Sequence, residues 1–159
     1  MRHYKEVRKR AMDIYYNREK YCYFYGAKGQ IMTDPEMDAL IAAEPDYFKR
    51  YTPEQLISIK NYNRGKTGYD CSGFTAVCTG DMQYSGGQFA NCAAITTPRT
   101  GPEGSLLYKP GHVGLDIGSG YFLHFPTEGK TCELGKISEY AWVGSGQPKM
   151  VDYVGADAR

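Results

Sequence analysis

The sequence predicts an α+β domain, with helices in the first eighty residues and an antiparallel sheet towards the C-terminus. Three observations carry this. Near the N-terminus Val7, Ala11, Ile14 and Tyr15 fall on one helical face, with Lys and Arg filling the other. Two helix starts are written as Asp34-Pro35-Glu36 and Thr52-Pro53-Glu54-Gln55, each a cap with proline in the first turn. From Ser105 onward the apolar period changes to two.

In chain order, residues 3–20 form the first expected helix. Its basic face is read as solvated surface before it is read as a contact for an anionic polymer. Residues 21–27, aromatic and ending in small side chains, read as an extended segment entering a loop. The helix opened by Asp34 presents Met37, Leu40 and Ile41. The helix opened by Thr52 presents Leu56, Ile57 and Ile59 and stops at Gly65. A further helix begins at Asp70 or Cys71, buries Phe74, Val77 and Cys78, and ends near Gly80. Residues 81–104, rich in Gly, Ser, Thr and Pro, read as a long loop with a short helix around 89–94. Strands are expected near 105–108, 111–118, 121–126 and 148–154, with Ser119-Gly120 as a tight hairpin turn and a short helix over 137–141.

Length and composition narrow the function classes. At 159 residues the chain is read as a single domain. A net charge of +1 gives no global attraction to nucleic acid. No apolar run approaches the roughly eighteen residues of a membrane span. The basic N-terminus lacks an apolar core, so no signal peptide is visible. The protein is therefore expected to be made in the cytoplasm and to act there or to leave by lysis or a dedicated machine, unless it is an excised module of a secreted enzyme. A monomer is the default. Five cysteines make an odd count without a regular framework, which points to mostly reduced thiols and leaves a single non-catalytic bridge open. With no CxxC and no HExxH, neither a metal site nor a cofactor is expected.

The chemistry concentrates at Cys71, His112 and His124. A cysteine at a helix start meets unpaired backbone N–H groups and the positive end of the helix dipole. Both favour thiolate, and comparable sites have pKa values of roughly 3.5–7.5. Gly73 in the first turn makes sense where another backbone passes close to the nucleophile. On the strand around His112, Val113, Leu115 and Ile117 point into the core, while His112, Gly114 and Asp116 point the other way. Gly114 is expected to leave room for the helix that carries the thiol. A hairpin centred on Ser119-Gly120 places His124 beside Gly114, within reach of His112. Taken singly, a helical Cys is usually a small buried hydrophobe and a strand His a structural residue. Together they form a nucleophile, a base and a group that fixes the base's tautomer. Asp70 disfavours a neighbouring thiolate, so its better roles are helix cap or partner for a cation on the substrate. Cys22, Cys78, Cys92 and Cys132 read as structural.

Tyr69-Asp70-Cys71-Ser72-Gly73-Phe74 and His112-Val113-Gly114-Leu115-Asp116-Ile117-Gly118-Ser119-Gly120, followed by His124, resemble the NlpC-type cell-wall cysteine peptidases of bacteria and their phages. The likeness covers roughly 66–126 and extends weakly to residues 23–27, similar to a Tyr-x-x-Gly-Gly segment but with Ala27 in place of the second glycine. It implies a papain-like fold, with the nucleophile at a helix N-terminus packed on a C-terminal antiparallel sheet. It implies cleavage of peptidoglycan stem peptides, most often between D-γ-glutamate and the diamino acid. Cys71 would be the nucleophile, His112 the base and His124 its orienting partner. Tyr23, Asp70 and Ser72 would receive the free amine of an N-terminal L-alanine or shape that pocket. The 28–66 segment departs as a helical insertion expected to wall the substrate groove, and Gly104-Ser105 stands where the family carries Gly-Asp. An isolated catalytic domain suits a phage lysin, a tail-associated hydrolase or an injected effector. An N-acetylmuramoyl-L-alanine amidase would use the same Cys and His. A module that binds wall peptides without cutting them is a rival of another class, and the intact Cys71, His112 and His124 argue against it. An acyltransferase would run the same thioester chemistry.

Overall fold

The computed structural model describes residues 1–99 and 101–156. A two-residue strand, β1 (Arg2–His3), leads into α1 (Tyr4–Tyr16). Tyr4, Val7, Ala11 and Ile14 are its buried residues, as the helical spacing predicts. The helix stops short of residue 20: Asn17 caps it and a 3₁₀ turn follows at Arg18–Lys20. Its charges are largely paired along the helix itself, Lys9 with Asp13 and Arg10 with Glu6, which fits a solvated face.

A small sheet comes next that the sequence did not announce. It comprises β2 (Tyr21–Tyr23), β3 (Lys28–Ile31) and β4 (Thr67–Tyr69), ordered β2-β4-β3. The insertion between its strands holds α2 (Asp34–Ala43), the one-turn α3 (Pro45–Phe48) and α4 (Pro53–Asn63). The cap of α2 is Thr33, one residue before the expected Asp34; its hydroxyl accepts the Glu36 N–H at 3.3 Å. Thr52 caps α4 in a capping box with Gln55. Ile57, expected in the apolar stripe of α4, is 60% exposed. The insertion packs into a second core, in which Met32, Met37, Phe48 and Ile59 meet Cys22, Phe24 and Ala27 of the preceding segment.

α5 (Cys71–Thr79) ends at Gly80, whose φ of 92° is the left-handed conformation of a helix stop. The expected loop over 81–104 contains α6 (Ser85–Ala90) and β5 (Cys92–Thr96). Then follow β6 (Leu106–Lys109), β7 (His112–Gly118), β8 (Tyr121–His124), β9 (Glu133–Lys136), a 3₁₀ turn at Ile137–Glu139 and β10 (Gly144–Pro148). The central sheet is antiparallel, in the order β5-β10-β6-β7-β8-β9. The strand expected at 148–154 is displaced: β10 ends at Pro148, and β11 (Val151–Asp152) pairs in parallel with β1 instead. Gly144, Gly146 and Pro148 are poor strand formers, which hid β10. Rings explain two of the glycines. A Cβ on Gly144 would lie 2.6 Å from Phe89, and one on Gly135 in β9 would lie 2.5 Å from Phe122.

α1 and α5 cover one face of the sheet, packing Val7, Ala11, Phe74 and Cys78 with Leu106, Val113, Leu115, Leu123 and Phe125. Leu107, Phe122, Ile137 and Trp142 cover the other. The side-chain alternation along β7 holds, but both of its faces are buried, and Asp116 is fully enclosed. Two helices and the small sheet on one side of an antiparallel sheet make an α+β fold.

Candidate active site

The chain turns sharply into α5. Asp70 is the N-cap: its Oδ1 accepts the Gly73 N–H at 2.7 Å, and its carbonyl accepts the Phe74 N–H at 3.1 Å. This places Cys71 at the first helical position. The Ala27 carbonyl runs across the helix start and accepts the Asp70 N–H at 3.0 Å. A Cβ on Gly73 would sit 2.6 Å from that oxygen, so the close backbone approach inferred from the glycine is present. Gly73→Ala should cost about 1–3 kcal/mol by overpacking. A lowered Tm would register it, whereas an unchanged Tm would show that Ala27 moves aside without penalty.

Cys71 is half-buried, and its Sγ lies 4.0 Å from the carbonyl of Gly111. The Val113 N–H also acts on the sulfur. The thiol thus faces the two residues flanking His112. His112 and His124 are 8% and 4% exposed, and His112 Nε2 lies 2.8 Å from His124 Nδ1. The register that pairs Leu115 with Leu123 brings them together, as the hairpin predicted. Tyr23 is 6% exposed and pairs with Tyr69, one residue from Asp70. Tyr23, Asp70, Cys71 and Ser72 thus lie about the start of α5, and His112 meets His124 across β7 and β8, with the thiol facing the residues on either side of His112. No two of the five cysteines are bridged.

Three contributors were not foreseen. Trp142 stacks on the His112 ring, 5.4 Å between centroids at 9°. A Cβ on Gly114 would lie 3.0 Å from this indole, so Gly114 makes room for Trp142 and not for the helix bearing the thiol. Gln88, 1% exposed, donates to the Ser72 carbonyl at 2.9 Å and accepts from Thr75 at 2.6 Å, fixing the first turn of α5. Lys28 Nζ contacts both oxygens of Asp70, at 2.7 and 2.9 Å, and Ser72 Oγ at 2.9 Å. The lone Trp, and a lysine directly after Ala27, were the sequence signals for two of these.

The electrostatics differ from the sequence expectation. Burial and then the Asp70 charge push the Cys71 thiol up, against the N–H groups of Val113 and Ser72 and the Lys28 ammonium. Burial, followed by the Lys109 charge, lowers His112 to about 4. Burial, then His112 and Lys109, lowers His124 to about 3. Burial thus favours the neutral thiol and the neutral imidazoles over a preformed thiolate. For His112 to take a proton from sulfur on Nδ1, its Nε2 must carry hydrogen and donate to His124 Nδ1. The remaining N–H of His124 then points toward Glu133, whose Oε2 is 3.9 Å away. An arrangement of this kind has the parts of a general base with an oriented tautomer.

A cavity of about 440 Å³ lies apart from these residues, between α4 and the turn at Glu128-Gly129, with Tyr51, Ile59 and Tyr62 in its wall. Glu128 anchors the insertion beside it, accepting the Tyr47 hydroxyl at 2.7 Å and the Tyr25 N–H at 3.0 Å.

No protein-family model matches the sequence, and no curated protein does. Solved structures do match in fold. The peptidoglycan hydrolase RipB from Mycobacterium tuberculosis is 15% identical with a TM-score of 0.57, over 94% of this chain and 67% of RipB. The NlpC/p60 domain of the peptidoglycan hydrolase SagA is 17% identical with a TM-score of 0.52, over 91% of this chain and 97% of that domain. NlpC2 from Trichomonas vaginalis is 14% identical with a TM-score of 0.53, over 90% of this chain and 46% of NlpC2. The chain has the papain-like α+β fold of the NlpC/p60 proteins, with Cys71 and His112 on the helix and the strand where the sequence motifs place them.

Proposed function

We propose that this chain is a peptidoglycan hydrolase, a cysteine endopeptidase that cuts wall stem peptides, at the D-γ-glutamyl–diamino acid bond, through a thioester. The observation that carries this is the 2.8 Å contact between His112 and His124, next to a cysteine at a helix start whose thiol faces both neighbours of His112. His112 takes the thiol proton as sulfur attacks the carbonyl. First-turn N–H groups of α5, that of Ser72 among them, meet the developing oxyanion. The imidazolium returns the proton to the leaving amine, and water then hydrolyses the thioester with His112 again as base. Tyr23, Asp70 and Ser72 shape the pocket for the substrate's N-terminal side. The single α+β domain with its 28–66 insertion is the unit that acts on the wall.

An amidase cutting between sugar and stem uses the same residues. The contact that favours it is Lys28 on Asp70, which leaves Asp70 already paired with a cation. The class of enzyme is tested by digesting purified peptidoglycan after treatment with iodoacetamide or EDTA. Stoichiometric alkylation of Cys71 should abolish digestion and EDTA should leave it intact. Full activity with Cys71 alkylated would contradict the proposal.

A further inference from the structure

Asp70 presents a problem that the triad does not solve. It is a nearly buried carboxylate, 9% exposed, adjacent in sequence to the nucleophile. A negative charge there opposes formation of a thiolate. Helix capping uses one lone pair of Oδ1, and the Gly26 N–H reaches Oδ2 at 3.2 Å. Lys28 completes the site. Its three ammonium hydrogens have three acceptors within 2.9 Å, namely Asp70 Oδ1, Asp70 Oδ2 and Ser72 Oγ. That saturates an ammonium's donors. The Lys28 stem runs over Gly73, with its Cδ 3.4 Å from where a Cβ would stand, an ordinary packing contact. Lys28 comes from β3, whose register sets Lys28 opposite Tyr69, the residue before Asp70.

We propose that Lys28 is the resident cation of the active site: it neutralises Asp70 beside Cys71, and it sets the site against substrates that carry a positive group at that position. The electrostatic half follows from sign and distance. The ammonium offsets the Asp70 charge that the sulfur experiences, and it is among the groups that favour the thiolate. The selectivity half follows from saturation. An incoming ammonium finds Asp70 and Ser72 already occupied by a like charge, which it must repel or displace into solvent. An acylated, uncharged N-terminus meets no such repulsion. As it concerns substrate, this rests on the stem-peptide reading above. The preferred substrate is then a stem whose N-terminal residue is acylated, as it is while still joined to its sugar. This revises the expectation, implied by the family resemblance, that Tyr23, Asp70 and Ser72 receive a free N-terminal amine.

Both halves can be read without any peptide. The rate of Cys71 alkylation is followed against pH with neutral iodoacetamide and with cationic 2-bromoethylammonium, for the wild type, Lys28→Met and Lys28→Arg. Removing the ammonium should raise the pH midpoint of iodoacetamide alkylation. At a fixed pH it should also raise the rate with the cationic reagent, relative to the neutral one, by about ten-fold, an effect that salt weakens. Lys28→Arg should keep the wild-type behaviour and shows that the charge, not the fold, is responsible. In parallel, kcat/KM is measured on a stem peptide with a free and with an N-acetylated terminus. Wild type should favour the acetylated peptide, and Lys28→Met should shift the ratio towards the free amine by about ten-fold or more. An unchanged reagent ratio and an unchanged midpoint in Lys28→Met would overturn the proposal. So would a wild-type preference for the free amine. If alkylation responds as expected but the wild type cuts neither peptide, Lys28 keeps its role as resident cation and the stem-peptidase reading fails.

Discussion

Cys71→Ala and His112→Ala should each lower the hydrolytic rate by on the order of 10⁴–10⁶-fold, and the double mutant should be little worse than either. The near-equality is the informative part. Burial holds the Cys71 thiol above its ordinary value and His112 at about 4, so at neutral pH the sulfur reaches its reactive form by handing the proton to His112. Without the base the thiol is mostly protonated, and without the thiol the base has nothing to activate. Multiplicative losses in the double mutant would mean that the two residues do not share a step. A further consequence separates this site from one with a preformed ion pair. With a low-pKa base and a high-pKa thiol, kcat/KM should be flat across the neutral range. It should fall on the acid side only as pH approaches the His112 value of about 4.

His124→Leu should lose on the order of 10²–10³-fold in kcat, while His124→Asn keeps much of the activity. Asn offers an oxygen that accepts the His112 Nε2–H in place of His124 Nδ1; Leu offers none. The Leu variant also leaves a buried donor unpaired, which costs about 1–3 kcal/mol of stability. Wild-type kinetics in His124→Leu would show that the 2.8 Å contact is structural only. The same pair makes stability depend on pH, and the sign is fixed. Both histidines have folded pKa values, about 4 and about 3, below the ordinary 6.5. The unfolded chain therefore binds more protons as pH drops below about 6.5. Their contribution is full above that pH and is lost as pH falls toward 4 and then 3. Urea midpoints should decline through that window, and less steeply in His124→Asn.

What was legible in the sequence was local or carried by register. The Asp70 cap, the Gly73 approach and the meeting of His112 with His124 needed only a helix start, a missing Cβ and a two-residue turn. Ser119 and Gly120, at φ of 56° and 85°, supply that turn. What stayed hidden depends on contacts distant in sequence. β10 carries two glycines and a proline and is a strand because Phe89 and Cys92 fill the space above the glycines. β3 and β4 are too short to show a period. The thiolate expected from the helix start is opposed for a related reason: the dipole is local and visible, whereas desolvation by the surrounding fold is not. Lys28 and Trp142 reach the site from another sheet and from the far face of β7.

Whether Cys71 acts on stem peptides is tested most directly by mass spectrometry of purified peptidoglycan after incubation with the protein. Wild type is predicted to release fragments with new termini inside the stem, at the D-γ-glutamyl–diamino acid bond, and Cys71→Ala is predicted to release none. Fragments cut between sugar and L-alanine would replace the endopeptidase by the amidase, and an undigested wall, or equal release by Cys71→Ala, would contradict the account.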